Sequence, residues 1–78
     1  MILPIHIDSR ERVNKINNVA CNAPFEIWLS SPTVMLDARS LLGLYSLIGQ
    51  DVYVVVEDNI DPDRFVKVVN KMVCWFYV

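Results

Sequence analysis

Val52-Tyr53-Val54-Val55-Val56 constrains this chain more than any other stretch. Four β-branched residues and one aromatic in five positions give up side-chain freedom in a helix and fit a pleated, half-buried surface. The run therefore predicts a strand, and a central one, which needs a partner on each side. A chain of 78 residues must find those partners within one small domain and one small core.

The partners can be read upstream. Ile2-Leu3-Pro4-Ile5-His6-Ile7 alternates as a strand with Leu3, Ile5 and Ile7 on one face. Pro4 cannot donate to a ladder, so this strand belongs at an edge or turns position 4 out of the pairing. Phe25-Glu26-Ile27-Trp28-Leu29 alternates again, with Phe25, Ile27 and Leu29 inward and Glu26 and Trp28 on the other side. Ser30-Ser31-Pro32-Thr33 reads as a turn, and Val34-Met35-Leu36 as a short return strand, so residues 25 to 36 form a hairpin.

Three helices fill the intervals. Asp8-Ser9 supplies caps for a first helix, Glu11 suits its first turn, and Val13, Ile16 and Ala20 form an apolar stripe flanked by Val19 and Ala23. Asn17, Asn18 and Asn22 weaken that helix and Pro24 closes it. Asp37 to Ser40 leads into a second helix that runs to about Ile48 and ends at Gly49. Asp61-Pro62 places a cap before a proline at the first helical position, which starts a third helix with Phe65, Val68, Val69, Met72 and Phe76 toward the core. The order is β-α-β-β-α-β-α. It predicts an α+β open-faced sandwich, a four-stranded antiparallel sheet covered on one face by helices, spanning residues 1–78 as one domain.

Composition narrows the function. With 54% hydrophobic and 21% charged residues the chain is globular, and a net charge of −2 lacks the basic stripe of a nucleic-acid binder. The seven basic residues read as scattered, with only Arg10 and Arg12 close together. Cys21 and Cys74 make no disulfide framework and no Cys/His cluster for zinc, and they read as free, buried or half-buried helix thiols. No metal or cofactor is expected. The apolar runs at the two ends fall well short of the roughly 20 residues that cross a bilayer. A cytoplasmic protein with no membrane or nucleic-acid partner is the expectation. No acid–base pair or phosphate-cradling glycine loop marks an independent enzyme.

Residues 36 to 47 carry a more specific signal. Arg39-Ser40-Leu41-Leu42-Gly43-Leu44-Tyr45-Ser46-Leu47 resembles, at nearly every position, the segment of the HPr phosphocarrier proteins of the bacterial sugar phosphotransferase system. That segment runs Lys/Arg-Ser, two apolar residues, Gly, an apolar residue, then Ser-Leu. The Ile27-x-Leu29 strand, Gly49 and the Val52-x-Val54-x-Val56 strand fall at compatible spacings, with a few residues deleted between Leu47 and Gly49. The resemblance covers the chain from about Val13 onward, and it implies the HPr-like fold.

Upstream the chain departs from that family. HPr proteins carry Gly-apolar-His-Ala-Arg-Pro-Ala after the first strand, and the histidine accepts a phosphoryl group at a helix start, stabilised by backbone amides and arginine. Counting back from Ile27 puts Ser9 at the histidine position and Glu11 at the arginine position. The resemblance therefore implies a degenerate member that has lost the phosphocarrier chemistry. His6, the only histidine, reads as an outward-facing strand residue; the sharper alternative is a displaced acceptor accompanied by Arg10 and Arg12. Ser9 as an acceptor has less support, because capping explains it.

Two surfaces remain. By the resemblance, Ser40 matches the serine that a dedicated HPr kinase phosphorylates in Gram-positive members; read from the residues alone, it is a plain helix cap. Leu41, Leu42 and Tyr45 match the apolar patch through which HPr proteins meet enzyme I and the sugar-specific enzymes, while core packing by Leu41, Leu44 and Ile48 would absorb part of it. Trp28, Tyr53 and Val55 point to the uncovered face of the sheet, and the tail Cys74-Trp75-Phe76-Tyr77-Val78 is apolar all round. One small monomer cannot hide all of these, so self-association is the simplest consequence and a protein partner the next. Trp28, Tyr53 and Trp75 are the residues that expectation names.

Overall fold

The computed structural model describes residues 1–73. Its elements are β1 (Ile2–His6), α1 (Arg10–Asn22), β2 (Trp28–Ser30), β3 (Met35–Asp37), α2 (Leu41–Tyr45), β4 (Asp51–Val55) and α3 (Pro62–Val73). All pairings are antiparallel and the strand order is β1-β4-β2-β3, so the valine-rich β4 is central as its composition requires. β1 lies at an edge, where Pro4 opposite Tyr53 is tolerated.

Register fixes two chemically distinct faces. Leu3 opposes Val54, Ile5 opposes Val52, and Leu29 lies between Val54 and Leu36. These residues, with Ile7, Ile27 and Val56, form the face on which the core is built. Val13, Ile16 and Ala20 of α1, Leu44 of α2, and Phe65, Val69 and Met72 of α3 complete that core. The opposite face carries Ile2, Pro4 and His6 of β1, Asp51, Tyr53 and Val55 of β4, Trp28 and Ser30 of β2, and Met35 and Asp37 of β3.

The ends of the helices follow their sequence signals. Ser9 caps α1 by accepting a hydrogen bond from the Arg12 amide at 3.3 Å, and Ala23 before Pro24 is extended (ψ 145°), which stops the helix. Asp61 accepts from the Asp63 amide through Oδ1 at 3.0 Å and starts α3.

Several boundaries differ from the sequence-based expectation. β2 begins at Trp28 rather than Phe25, and Phe25 is only half-buried, because pairing with β4 starts at the Trp28–Val55 register. β3 spans Met35–Asp37 rather than starting at Val34: Ser31 and Val34 close a tight turn, with the Ser31 amide donating to the Val34 carbonyl at 2.8 Å and Ser31 Oγ accepting from the Thr33 and Val34 amides. α2 ends at Tyr45 instead of Ile48. Its continuation tightens into three-residue turns, with Ser46, Leu47 and Ile48 amides donating to the carbonyls of Gly43, Leu44 and Tyr45. Gly49 then adopts φ +90°, open to glycine but strained for other residues, and its amide donates to the Ile7 carbonyl at 2.6 Å. That bond, with Ile7 N–H to Gln50 C=O, extends the β1–β4 ladder beyond its last paired residues.

Leu41 and Ile48, expected in part as core, are each 38% exposed, since the short α2 turns only Leu44 and the following Leu47 inward. Cys21 is exposed rather than buried, because α1 buries the Val13–Ile16–Ala20 stripe on its other side. Cys74, Trp75 and Phe76, together with the rest of the tail, lie outside the described residues.

Candidate functional site

The loop from β3 into α2 is held from three directions. The Ala38 side chain is fully buried, and its amide donates to the Ile27 carbonyl at 2.9 Å, fixing the loop to the start of β2. From α1, Asn17 Nδ2 donates to the Arg39 carbonyl at 3.0 Å and the Ala38 carbonyl at 3.5 Å. Arg39 folds back onto Asp37 with Nε at 3.1 Å from Oδ1 and Nη2 at 2.8 Å from Oδ2, and its Nη2 also reaches Glu26 at 3.4 Å. Asp37 Oδ1 accepts from the Arg39 amide at 2.9 Å as well. The guanidinium and this amide hold the Asp37 carboxyl below its ordinary value. By sequence Asn17 only weakens the helix; four asparagines in the 13 residues of α1 are the available sign that other bonds are made there.

Ser40 sits at the N-cap position of α2 with φ −85° and ψ 93°, but its side chain makes no capping bond. Its backbone supplies the turn: the amide donates to the Asp37 carbonyl at 2.9 Å and the carbonyl accepts from Leu44 at 3.0 Å. The hydroxyl group is exposed and lies over Gly43, 3.2 Å from where a β-carbon there would sit. This differs from the sequence expectation of a serine cap. Glycine suits Gly43 because the same β-carbon would also come 3.2 Å from Leu36 Cδ1, close enough that the Leu36 and Ser40 side chains would have to shift.

Beside Ser40, Leu42 is 84% exposed and Leu41 and Ile48 are partly exposed, so an apolar cluster surrounds the α2 turn. Tyr45 is half-buried, and its hydroxyl donates to Asn14 Oδ1 of α1 at 3.3 Å. Ser40, Leu41, Leu42 and Tyr45 are thus brought together on one side of the molecule.

The residues at the start of α1 are arranged otherwise. Ser9 is used as a cap, and its hydroxyl also donates to Asp8 Oδ1 at 3.2 Å. His6 stands between the buried Ile5 and Ile7 and projects from the other face of the sheet, where Nδ1 lies 2.8 Å from Asp51 Oδ1 across the β1–β4 pair. Arg12 reaches the carbonyl of His6 at 3.4 Å and the Asp8 carboxylate at 3.8 Å. The helices and the His6 ring are on opposite sides of the sheet.

The outer sheet face is apolar through its middle. Ile2, Met35 and Tyr53 are 58%, 56% and 50% exposed, and Trp28 and Val55 lie half-buried between them. Trp75, the remaining residue named for interaction, is outside the described residues. Among the described residues no helix is long and apolar enough to cross a membrane, and no group of His, Cys, Asp and Glu is placed to hold a metal ion.

No protein-family model matches the chain, and no curated protein sequence matches it. Solved structures do match it. HPr-C-His from Thermoanaerobacter tengcongensis superposes with a TM-score of 0.66 at 19% sequence identity, over 92% of this chain and 94% of that one. The fold is HPr-like.

Proposed function

We propose that this protein is a degenerate HPr-like module of the phosphotransferase system that acts by binding other proteins and not by carrying a phosphoryl group. The observation that carries the reading is the division of the site between two faces. Ser9, at the position of the family's histidine, is committed to capping α1, and the single histidine projects from the opposite face of the sheet toward Asp51. The cluster around α2 keeps the features of a docking surface: Leu41, Leu42 and Tyr45 beside the uncommitted hydroxyl of Ser40.

Ser40 is the regulatory position in this reading. A phosphate on an exposed hydroxyl beside Leu41 and Leu42 adds nearly two negative charges to an apolar patch and changes which partner can dock there. Phosphotransferase-system proteins and HPr kinase are the partner classes that follow. The module acts as a cytoplasmic binding protein with no reaction of its own.

Phosphorylation with phosphoenolpyruvate, enzyme I and labelled phosphate tests the first claim. No stable label is expected; acid-labile label that disappears in His6→Ala would overturn it in favour of a displaced phosphocarrier. Incubation with HPr kinase followed by intact-mass measurement tests the second, with one added phosphate lost in Ser40→Ala as the expected result.

A second reading has an observation of its own. Ile2, Val55 and Trp28 are neighbours across three strands, with Tyr53 beside Val55 and Met35 beyond Ser30, on a sheet face that the described helices leave open, which favours a self-associating structural role. A clean monomer in sedimentation at micromolar concentration would remove it.

A further inference from the structure

Charge is sharply divided in this fold. α1 and α3 together carry six of the seven basic residues and two of the nine acidic ones, a formal charge of +4. The remaining residues carry one basic and seven acidic side chains, a formal charge of −6. The net −2 of the whole chain conceals this, and the basic residues that look scattered in sequence are gathered into one layer.

A groove runs between those two helices. Lys15, Asn18, Val19 and Asn22 of α1 and Val68 and Lys71 of α3 line it, with Ala23 and Pro24 at its end, and its volume is about 360 Å³. The floor is aliphatic: Val19, Ala23 and Val68 are half-buried there. Among the described residues neither Lys15 nor Lys71 makes an ion pair or hydrogen bond, although Glu11 and Asp63 lie on the same helices. Asn22 turns its side-chain amide back to the Asn18 backbone carbonyl at 2.8 Å, and the exposed Asn18 side chain makes no hydrogen bond among the described residues.

We propose that the groove between α1 and α3 is a docking site for an acidic segment of a protein partner, with an aliphatic side chain on Val19, Ala23 and Val68 and carboxylates against Lys15 and Lys71. The site is separate from the α2 patch and does not rest on the reading of Ser40. The chemistry of the groove selects this occupant. A single-stranded nucleic acid needs aromatic platforms for its bases, and no aromatic residue lines the groove. An extended polyanion would also run onto the −6 remainder of the molecule. An anionic membrane surface favours a flat basic face with apolar residues at its crest, whereas here the apolar groups lie at the bottom of a groove. A short acidic segment places its charges only where the lysines are, and charges at such a rim govern encounter rate and salt dependence.

Amide spectra of the labelled protein, titrated with a synthetic peptide of aspartates and glutamates around a central leucine, test the proposal. The expected shifts fall on Lys15, Asn18, Val19, Asn22, Val68 and Lys71, diminish at high salt, and weaken when serine replaces the leucine. Lys15→Glu with Lys71→Glu is expected to weaken binding about tenfold or more, from two attractions turned into repulsions. Lys15→Gln with Lys71→Gln gives a milder loss and serves if the reversed-charge variant fails to fold. Shifts centred on α2 or the sheet face, or binding undiminished in both double variants, would overturn the proposal. So would tighter groove binding by oligouridylate or by phosphatidylserine vesicles. Salt-sensitive self-association that the lysine variants abolish would assign the groove to a second copy of this chain instead.

Discussion

Two serines precede helices in this chain, and the structure assigns them different work. Ser9 Oγ accepts from the Arg12 amide, whereas Ser40 Oγ caps nothing. Removing a serine cap costs about 0.5–2 kcal/mol. At 3.3 Å the Ser9 bond is longer than the common N–H···O distance, which places its loss in the lower half of that range, about 0.5–1 kcal/mol. In a domain of this size 1 kcal/mol moves the melting temperature by about 4–8 °C. Ser9→Ala should therefore melt about 2–8 °C lower, and Ser9→Thr, which keeps the acceptor, should recover most of the loss. Ser40→Ala removes an exposed hydroxyl with no bond and should stay within about 0.5 kcal/mol of the parent. Thermal and urea unfolding of the three variants, checked for two-state behaviour, decide the matter. Equal losses for Ser9→Ala and Ser40→Ala would mean that Ser40 is a working cap, and the argument that its hydroxyl is free for modification would fall.

Other consequences are separable. Gly49→Ala meets no neighbour within 4 Å, so its cost is backbone strain at φ +90°, about 1–2 kcal/mol, and should appear as a lowered urea midpoint with an unchanged slope. On α2, Leu44→Ala should lose about 2–5 kcal/mol because Leu44 is fully buried, while Leu42→Ala should be near neutral in unfolding and harmful only to partner binding. Asp37 is held below its ordinary 3.8 by Arg39, so the unfolded chain takes up its proton first as pH falls. Its contribution is complete above that value and is lost as pH drops through the lower folded value; Asp37→Asn should flatten the acid limb of the stability profile in that window.

The order of elements was legible because each depends on local chemistry. A valine-rich run can do little except form a central strand, and Asp61-Pro62 can do little except start a helix. The length of α2 was not legible, since five apolar-rich residues after Ser40 read equally well as a longer helix. Its end is decided by a contact distant in sequence, where Gly49 turns back to bond Ile7. Strand starts at Trp28 and Met35 likewise follow from pairing registers that no local window contains. For the candidate site, the sequence located Ser40 and the leucines. It missed the clamp by Asn17 and the Asp37–Arg39 fork, because both join residues through geometry. The gathering of basic side chains on α1 and α3 was hidden for the same reason: they are far apart in sequence and meet only when the two helices pack side by side.

The strand context of His6 bears most directly on whether it can carry a phosphoryl group. To bring its ring to the helix side, β1 would have to slip by one residue, and a one-residue slip turns over every side chain in the strand. Ile5 and Ile7, 7% and 0% exposed, would move to the solvent face together with half-buried Leu3. Two isoleucines alone are worth about 3–6 kcal/mol of burial, a large part of the roughly 5–15 kcal/mol that holds a small domain together. The slip would also break the Ile7 bonds to Gly49 and Gln50 that anchor the end of α2. His6 therefore stays on the outer face beside Asp51, where the amides at the start of α1 cannot reach a phosphate on its ring. Any phosphoryl transfer through His6 would have to proceed without those helix amides. Labelled phosphate retained on His6 after incubation with enzyme I, together with amide shifts at the start of α1 on phosphorylation, is the result that would refute this.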